Sequence, residues 1–515
     1  MTSTKSLTVL VCGLLFCRAM NGQIGGAPAQ TPTPRAEPLP ISGRQQSGAV
    51  VPVESPAAGA GAATSVNTIN STLQVQGSFQ GSVATGTVSP QPLALTLQAA
   101  LRRGMQYNLG AITTGNVNRQ ARAQRLAAIA QLLPDITGSV GAAVQQINLA
   151  AQGLRFNLPI AGFHFPSVVG PFNYFDAAAN FNESVSLTGI RNWQSARQNE
   201  RSAELSMRDA RELVALAVAG SYLQILASAA RIQTANAQID TAQVVYRQAV
   251  DRNRSGLNAR IDVNRSLVEL QIQQQRLTSL TNEMEKQKLT LARLIGLPMA
   301  QAFTLADMIP FRELPAPDVN ALIQQALSTR PDVQAAGAQV RAAELARSAA
   351  VAEYYPSLAV TADYGATGVN PSRQAHGTFL VAGSVIFPIF RSGRISADIA
   401  QADVALAQRR AEYEDTKGQA EQDVRTSALD LAAASQQVRV ADSNRGLAAE
   451  TLRQAQDRFR AGVADTIELV QAQESVATAE QDYISALYAL NLAQVSLARA
   501  VGQTEQGVVR LVQGH

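Results

Sequence analysis

The side chains that most often carry out enzyme chemistry are scarce in this sequence of 515 residues. It has three histidines, His164, His376 and His515, and two cysteines, Cys12 and Cys17. No HExxH motif, no Cys/His cluster with zinc-binding spacing and no glycine-rich phosphate loop after a strand is present. Carboxylates are plentiful, but they alternate with Arg and Gln along helical stretches, as solvated helix faces do. The sequence therefore predicts neither catalysis nor a bound metal or cofactor.

The charge of the chain is nearly balanced. Its formal net charge is +4, and basic and acidic residues are interspersed along the helical stretches. No run of Lys and Arg with interleaved aromatic residues marks a nucleic-acid surface. We therefore expect no nucleic-acid partner.

Residues 1–22 have the pattern of a secretory signal peptide. Lys5 precedes an apolar run, Leu7–Phe16, that is too short to span a membrane. Both cysteines lie in this segment, so the mature chain would be free of cysteine, which suits an exported protein. Acylation of Cys17, as in a lipoprotein, is the less favoured alternative, because Phe16 stands where lipoprotein signals have Gly, Ala or Ser.

Residues 23–90 are rich in Pro, Gly, Ala, Gln, Ser and Thr, which predicts a flexible leader with at most one short strand around Leu73–Phe79. No later stretch approaches 18 consecutive apolar residues, so we predict no transmembrane helix. A chain without such helices can cross a membrane only as a β-barrel.

The rest of the chain repeats one structural unit. Tyr246–Pro298 aligns without a gap with Leu452–Thr504 at an offset of 206, and 14 of the 53 paired positions are identical. Upstream, Asn108 pairs with Arg330 at an offset of 222, so the first half carries 16 extra residues. These lie between Pro134 and Phe181, in a stretch dense in Pro, Gly and aromatic residues that predicts a longer loop.

Each half is predicted to contain the same elements. No Pro lies between Arg191 and Leu297 or after Pro388, which favours long unbroken helices. Gly256 and Gly462 each separate two such helices and suit a tight turn with positive φ. The predicted order is one helix of about 35 residues, two strands and two long helices: Leu95–Leu133, Asp135–Asn148, Tyr174–Leu187, Asn192–Asn253 and Leu257–Ile295, then Val319–Glu353, Ser357–Gly365, Thr378–Phe390, Gly393–Phe459 and Val463–Val501.

Two duplicated motifs resemble those of the TolC-type outer-membrane efflux proteins. FPIFRSGRISADIAQA (Phe387–Ala402) is similar to that family's passage from barrel strand to helix, with one Ser in place of a Gly. RFRAGVADTIELVQAQ (Arg458–Gln473) and its first-half copy RNRSGLNARIDVNRS resemble the turn at the periplasmic tip. The resemblance covers about residues 93–505, with one repeat at 91–300, a second at 315–505 and a tail at 506–515.

This resemblance implies an α+β membrane protein with a long antiparallel α-helical barrel and a transmembrane β-barrel of twelve strands shared by a homotrimer. It implies a location in the outer membrane, extending into the periplasm. The function would be a passive exit duct, which works with a periplasmic adaptor and an inner-membrane transporter of RND or ABC type, as in drug efflux or type I secretion. The alternative is a structural coiled-coil envelope protein without a channel, which would not need duplicated hairpins. The cargo is not encoded in any motif.

The resemblance also implies a pore constriction. Glu468 and Gln471 match the positions of paired acidic residues at the periplasmic mouth, and Asp262 matches a further acidic tip position. A ring of carboxylates there would attract cations and oppose closure. A solvated Glu on a helix face is the simpler alternative for Glu468. Phe459 and Ala464 stand where relatives have a Tyr and an Arg that latch the closed state, so we expect that latch to be absent or replaced, by Arg260 or Asp465.

The two tip turns are implied to contact the adaptor. They comprise Arg254, Ser255, Gly256 and Leu257 in the first half, and Arg460, Ala461, Gly462 and Val463 in the second. The alternative for Arg254 and Arg460 is an interaction with the last carbonyls of their own helices.

Overall fold

The computed structural model describes residues 50–54, 71–75, 77–149, 151, 167–256, 259–307, 318–370, 375–461, 463, 466–505 and 507–508. The helices are α1 (Leu97–Tyr107), α2 (Leu109–Ala130), α3 (Leu187–Arg254), α4 (Arg260–Ile295), α5 (Val319–Thr329), α6 (Pro331–Ala352), α7 (Arg394–Arg460) and α8 (Thr466–Ala500). The strands are β1 (Val50–Glu54), β2 (Ser71–Val75), β3 (Leu93–Leu95), β4 (Asp135–Asn148), β5 (Val168–Val185), β6 (Phe303–Leu305), β7 (Ser357–Gly368) and β8 (His376–Ile386).

Contacts divide these elements into two compact units. Leu126–Gln194 and Leu345–Ala405 form one unit, built around the antiparallel sheet β4-β5-β7-β8. The other unit contains most of the helical residues, together with the short sheets β1-β2 and β3-β6. The strand predicted around Leu73–Phe79 is β2 in part, since a 3-10 turn begins at Gly77.

The four long helices form as the absence of proline predicts. α3 and α7 contain 68 and 67 residues, which is roughly 100 Å at 1.5 Å per residue. The main apolar cluster is built on the middle of α3, where Val214, Val218 and Tyr222 are fully buried. Among the described residues, α3 has an 18-residue window apolar enough to cross a membrane, and 78% of that window is buried, as is typical of a core helix.

The prediction of one 35-residue helix at the start of each half is wrong. Both are broken near their first third, because Asn108 and Arg330 have extended backbone with ψ of 134° and 125°. The Asn108 side chain accepts a hydrogen bond from the Gly110 N–H at 2.9 Å and so caps α2. Pro331 follows Arg330, and the residue before a proline disfavours the helical conformation.

Asn108 and Arg330 occupy equivalent places in the two halves. The Asn108 side chain donates to the Leu294 carbonyl at 3.2 Å, and Arg330 donates to the Ala500 carbonyl at 3.4 Å, 206 residues later. The repeat found in the sequence is therefore a repeat of structure.

Arg330 also anchors a buried charge cluster. Its side chain is 4% exposed and pairs with Asp332 at 2.7 Å and Asp423 at 2.8 Å. Burial of Asp332 acts to raise its pKa, but the hydrogen bonds and charge of Arg330 outweigh this effect and hold the pKa below its usual value. The pair therefore stabilises the folded state above the ordinary pKa of an aspartate, and this contribution is lost as pH falls through the lowered value.

The four-stranded sheet has two different faces, because side chains alternate along each strand. One face is apolar: Ile136, Val140, Val144, Phe175, Phe181, Val185, Leu358, Val360, Tyr364, Phe379, Val381 and Val385. The other is mostly polar: Thr137, Ser139, Asp176, Asn180, Asn182, Thr361, Asp363, Thr367 and Ser384. The exceptions are Asn173 and Glu183 on the apolar face, and Phe172, Tyr174, Leu380 and Ile386 on the other face. Val140 and Phe379, on the apolar face, are 79% and 77% exposed. This is the alternation of a sheet with lipid on one side and water on the other.

The 16 extra residues of the first half are only partly a loop. Pro171, Phe172 and Tyr174 belong to β5. β4 and β5 contain 14 and 18 residues, against 12 and 11 in β7 and β8. The extra length therefore extends the first β-hairpin, and residues 152–166 lie outside the described part.

Candidate functional site

The candidate site lies at the tips of two helical hairpins, α3–α4 and α7–α8. α3 ends at Arg254 and α4 begins at Arg260, while α7 ends at Arg460 and α8 begins at Thr466. Gly256 has φ of +74°, as predicted for a tight turn between helices. Leu257, Gly462, Ala464 and Asp465 lie outside the described residues.

A small apolar cluster holds the two hairpins together just above the turns. Val245 of α3 packs with Ala455 and Phe459 of α7 and with Leu469 and Ala472 of α8. Phe459 is 2% exposed although it lies one residue before the end of its helix. Full burial of an aromatic ring is worth several kcal/mol, so the tip is a packed structure.

Arg252 links the first hairpin to the second. Its Nη2 donates to the backbone carbonyls of Phe459 at 2.8 Å and Arg460 at 3.2 Å. Its guanidinium carbon also lies 4.3 Å from the centre of the Phe459 ring. The last carbonyls of a helix have no partner inside the helix and carry the negative end of its dipole. A cation from the neighbouring hairpin therefore caps α7.

Arg252 is not among the site residues predicted from the sequence. The usual latch is predicted to be absent or replaced by Arg260 or Asp465, and the replacement stays a prediction for those two residues. The available signal was the identity of Arg252 and Arg458 at the 206-residue offset, with an aromatic residue after only the second. An interaction with the last carbonyls of their own helices was the alternative for Arg254 and Arg460; they pair with Asp251 at 4.0 Å and Asp457 at 3.3 Å.

The predicted acidic residues each pair with a nearby arginine. Glu468 lies 3.2 Å from Arg458, across its own hairpin, and its side chain is 39% exposed. Asp262 lies 3.8 Å from Arg265, one turn further along α4, and is 22% exposed. Each carboxylate is thus partly neutralised, so either alone presents less negative charge to its surroundings than a free acid would.

Gln471 lies in a groove between the starts of α4 and α8, with a volume of about 500 Å³. The lining residues are Ile261, Asn264, Arg265, Val268 and Glu269 of α4 and Ile467, Val470 and Gln471 of α8. The groove brings Gln471 together with Arg265, the partner of Asp262. It does not include Asp262 or Glu468, so the structure does not gather the three predicted constriction residues into one cavity of a single chain.

The turn residues are open to solvent. The side chains of Arg254 and Arg460 are 78% and 64% exposed, and Val463 is 68% exposed. Ser255, Gly256 and Ala461 are also exposed. Within the described residues, no group of three or more His, Cys, Asp or Glu side chains could hold a metal ion.

This chain is similar to proteins of a known family. The family model for outer membrane efflux proteins matches residues 118–297 and 322–503, more than half of the chain. The chain belongs to the outer membrane efflux protein family. This membership confirms the resemblance drawn from the two motifs.

Individual relatives of the family agree. The pyoverdine export outer membrane protein OpmQ of Pseudomonas aeruginosa is 27% identical over 408 residues, which cover 76% of this chain and 82% of OpmQ. The cation efflux system protein CusC of Escherichia coli is 23% identical, with 64% and 73% covered. Among solved structures, the outer membrane protein VceC of Vibrio cholerae superposes with a TM-score of 0.65 at 19% identity, covering 79% of this chain and 96% of VceC. The CmeC channel of Campylobacter jejuni gives 0.68 at 15% identity, with 83% and 92% covered.

The fold is therefore that of the outer-membrane channels, an α-helical barrel joined to a β-barrel. As a family member, the protein resides in the outer membrane and extends into the periplasm, where it serves as the exit duct of an efflux system. The predicted duct is confirmed over the alternative of an envelope protein without a channel. The family is one of efflux channels and not of enzymes.

Proposed function

We propose that the protein is a passive trimeric duct whose hairpin tips form its gate. Energy would come from an inner-membrane transporter of RND or ABC type, and a periplasmic adaptor would couple the two. The observation that carries the proposal is the two-faced sheet. Its apolar face suits lipid, and within the described residues β4 and β8 each pair on one side only.

Unpaired strand edges cannot lie in lipid, because each unsatisfied N–H or C=O there costs several kcal/mol. A four-stranded sheet is too small to close on itself. Three copies, placed edge to edge, would supply twelve strands and remove every edge. The number three comes from the family resemblance, and the sheet supports it by requiring closure.

The tips are proposed as the gate because they combine a specific link with a charged mouth. Arg252 joins the hairpins through two carbonyls and one ring. Opening would separate the hairpins and break this link. Glu468, Gln471 and Asp262 would line the constriction in three copies, with the charge of Glu468 reduced by Arg458.

The exposed turns are proposed as the adaptor contact. The two turns combine two basic residues with small and apolar ones: Arg254, Ser255, Gly256 and Leu257 in the first, and Arg460, Ala461, Gly462 and Val463 in the second. Such a surface suits a partner helix tip that inserts between the hairpins and offers acidic or carbonyl groups.

The cargo is proposed to be small organic molecules such as drugs. Relatives in Pseudomonas carry names for export of pyoverdine, toluene and antibiotics. Expression in a strain that lacks its own exit ducts, together with a drug pump and adaptor, should restore resistance. Unchanged drug sensitivity with each inner-membrane pump type would contradict this cargo.

Single-channel recording tests the duct itself. Purified protein added to a planar lipid bilayer should give discrete, uniform conductance steps. A Glu468→Gln variant should keep the steps and alter their ion preference, which ties the current to this chain. Folded oligomers that insert but conduct no ions would refute passive conduction through the proposed trimer.

A further inference from the structure

Within one protomer the two hairpins meet along a contact surface that we call the joint. The internal repeat relates this joint to a second one, between hairpins of neighbouring copies. Each residue of the first hairpin has a counterpart 206 positions later in the second. A contact from the first hairpin to the second therefore has an image, from the second hairpin to the first hairpin of a neighbouring copy. In a closed ring of alternating hairpins, both joints occur and resemble each other.

The joint inside the protomer contains a buried ion pair. Arg499 of α8 lies 2.6 Å from Asp209 of α3, with side chains 13% and 11% exposed. Burial raises the pKa of Asp209, and the charge and hydrogen bond of Arg499 oppose that shift. Removing only one partner of such a buried ion pair strongly destabilises the folded state, because the other charge is left buried and unpaired.

The images of these two residues are again an arginine and an aspartate. Subtracting 206 from Arg499 gives Arg293, and adding 206 to Asp209 gives Asp415. Both residue types are retained, although Arg293 and Asp415 are exposed in one protomer. Opposite charges are thus placed at the two halves of the second joint.

The helix face around Arg293 is the image of a face that is buried. On α8, the face of the first joint comprises Gln481, Ser485, Tyr488, Leu492, Val495 and Arg499, and its apolar members join the main cluster. The images on α4 are Gln275, Ser279, Asn282, Lys286, Leu289 and Arg293, all of them exposed. They recur every three or four residues and form one stripe of the helix. We call this set the α4 stripe.

The opposing face lies on α7. Leu429 is 71% exposed, whereas its counterpart Leu223 is 2% exposed in the main cluster. In the first joint Arg231 donates to Ser485 at 2.8 Å. The images are Gln437 and Ser279, so a side chain that can donate a hydrogen bond again stands opposite a serine hydroxyl.

We propose that the α4 stripe of one copy docks on α7 of the next copy, with Arg293 paired to Asp415 and Ser279 to Gln437. The proposal rests on the trimeric duct proposed above and names the residues that join its copies. The seam between copies is more polar than the joint inside one copy, because Asn282 and Lys286 stand where the inner joint has Tyr488 and Leu492.

Charge reversal tests the pairing in the full-length protein purified in detergent. Asp415→Arg and Arg293→Asp should each weaken trimer formation by at least about a hundredfold in protein concentration, as expected for like charges at a buried pair. Light scattering after size exclusion measures the trimer fraction. The double variant Asp415→Arg/Arg293→Asp should restore it.

The matched control is Glu414→Arg. Glu414 is the neighbour of Asp415, but its counterpart Arg208 has a side chain 53% exposed in the inner joint, so this site should lie outside the seam. The control should trimerise as the wild type does. Circular dichroism of each variant checks that the helices are retained.

Coexpression of the Asp415→Arg chain with the Arg293→Asp chain shows that the pair joins different copies. In a trimer that contains both chains, two of the three seams bring opposite charges together at positions 293 and 415, and the third brings like charges together. Mixed trimers should therefore form in part, whereas a pair inside one chain would give no such rescue.

Three outcomes would overturn the pairing: single variants that trimerise like Glu414→Arg, a double variant that fails to recover, or coexpressed chains that form no mixed trimers. Conductance separates this result from the proposed duct. Variants that remain trimeric and still conduct would refute the pairing and leave the duct intact.

Discussion

Removal of the Arg252 side chain should loosen the tip. Arg252→Ala removes a charged donor shared by two carbonyls and a cation over the Phe459 ring. A hydrogen bond from a charged group is worth about 1.5–3 kcal/mol, and partial exposure favours the lower end. The cation–π contact adds about 0.5 kcal/mol at such a site. The sum is about 2 kcal/mol, or roughly a 30-fold shift of the closed-to-open equilibrium of each tip.

The assay is the open probability of single channels in a planar bilayer at low voltage. Arg254→Ala is the matched control, since Arg254 lies on the same helix turn and pairs with Asp251 at 4.0 Å. Arg252→Lys should fall between wild type and Arg252→Ala, because an ammonium keeps the charge and loses the planar fork. Equal open probability for Arg252→Ala, Arg254→Ala and the wild type would show that the capping of α7 does not hold the gate.

Three further changes probe other parts of the chain. Arg330→Leu leaves two aspartates without their buried cation and should destabilise the folded protein by about 3 kcal/mol; thermal unfolding of the purified protein measures it, and an unchanged melting temperature would contradict the role of the cluster. Glu468→Gln should reduce the cation preference of the pore and Arg458→Ala should increase it, as read from reversal potentials in a salt gradient; identical potentials would place Glu468 outside the constriction. Gly502→Ala should destabilise more than Gly256→Ala, since both glycines have positive φ but a Cβ at Gly502 meets Arg330 at 3.1 Å and one at Gly256 meets nothing; similar unfolding temperatures would refute this packing argument.

The long helices and the strands were predictable because their signals are local. Proline is absent from the whole stretch between Arg191 and Leu297 that forms α3 and α4, and β-branched and aromatic residues mark β7 and β8. The breaks at Asn108 and Arg330 were not predicted. Each is fixed by a side chain that reaches a carbonyl 170 or more residues away, and no window of neighbouring residues records such a contact.

The tip shows the same limit at a functional position. The sequence places Arg252 and Arg458 at equivalent points of two turns, and nothing local distinguishes them. The structure distinguishes them by what each arginine contacts. Arg252 of the first hairpin lies against Phe459 of the second, and the residue equivalent to Phe459 in the first hairpin is Asn253. The 206-residue register of the repeat predicted the two turns. The contact of Arg252 with Phe459 depends on how these two turns, distant in sequence, pack against each other.

The joint inside each protomer is apolar, and the proposed seam between copies is more polar. The ring of hairpins would therefore contain two kinds of interface of unequal strength. Each protomer would then move as a rigid body. When the periplasmic mouth opens, the three polar seams between copies would separate before the three apolar joints inside the protomers. Dilation would follow threefold symmetry although the chain was built from a near-sixfold plan. Asn282 and Lys286 in the first half replace Tyr488 and Leu492 of the second. This difference between the two halves would determine at which interfaces the tunnel opens.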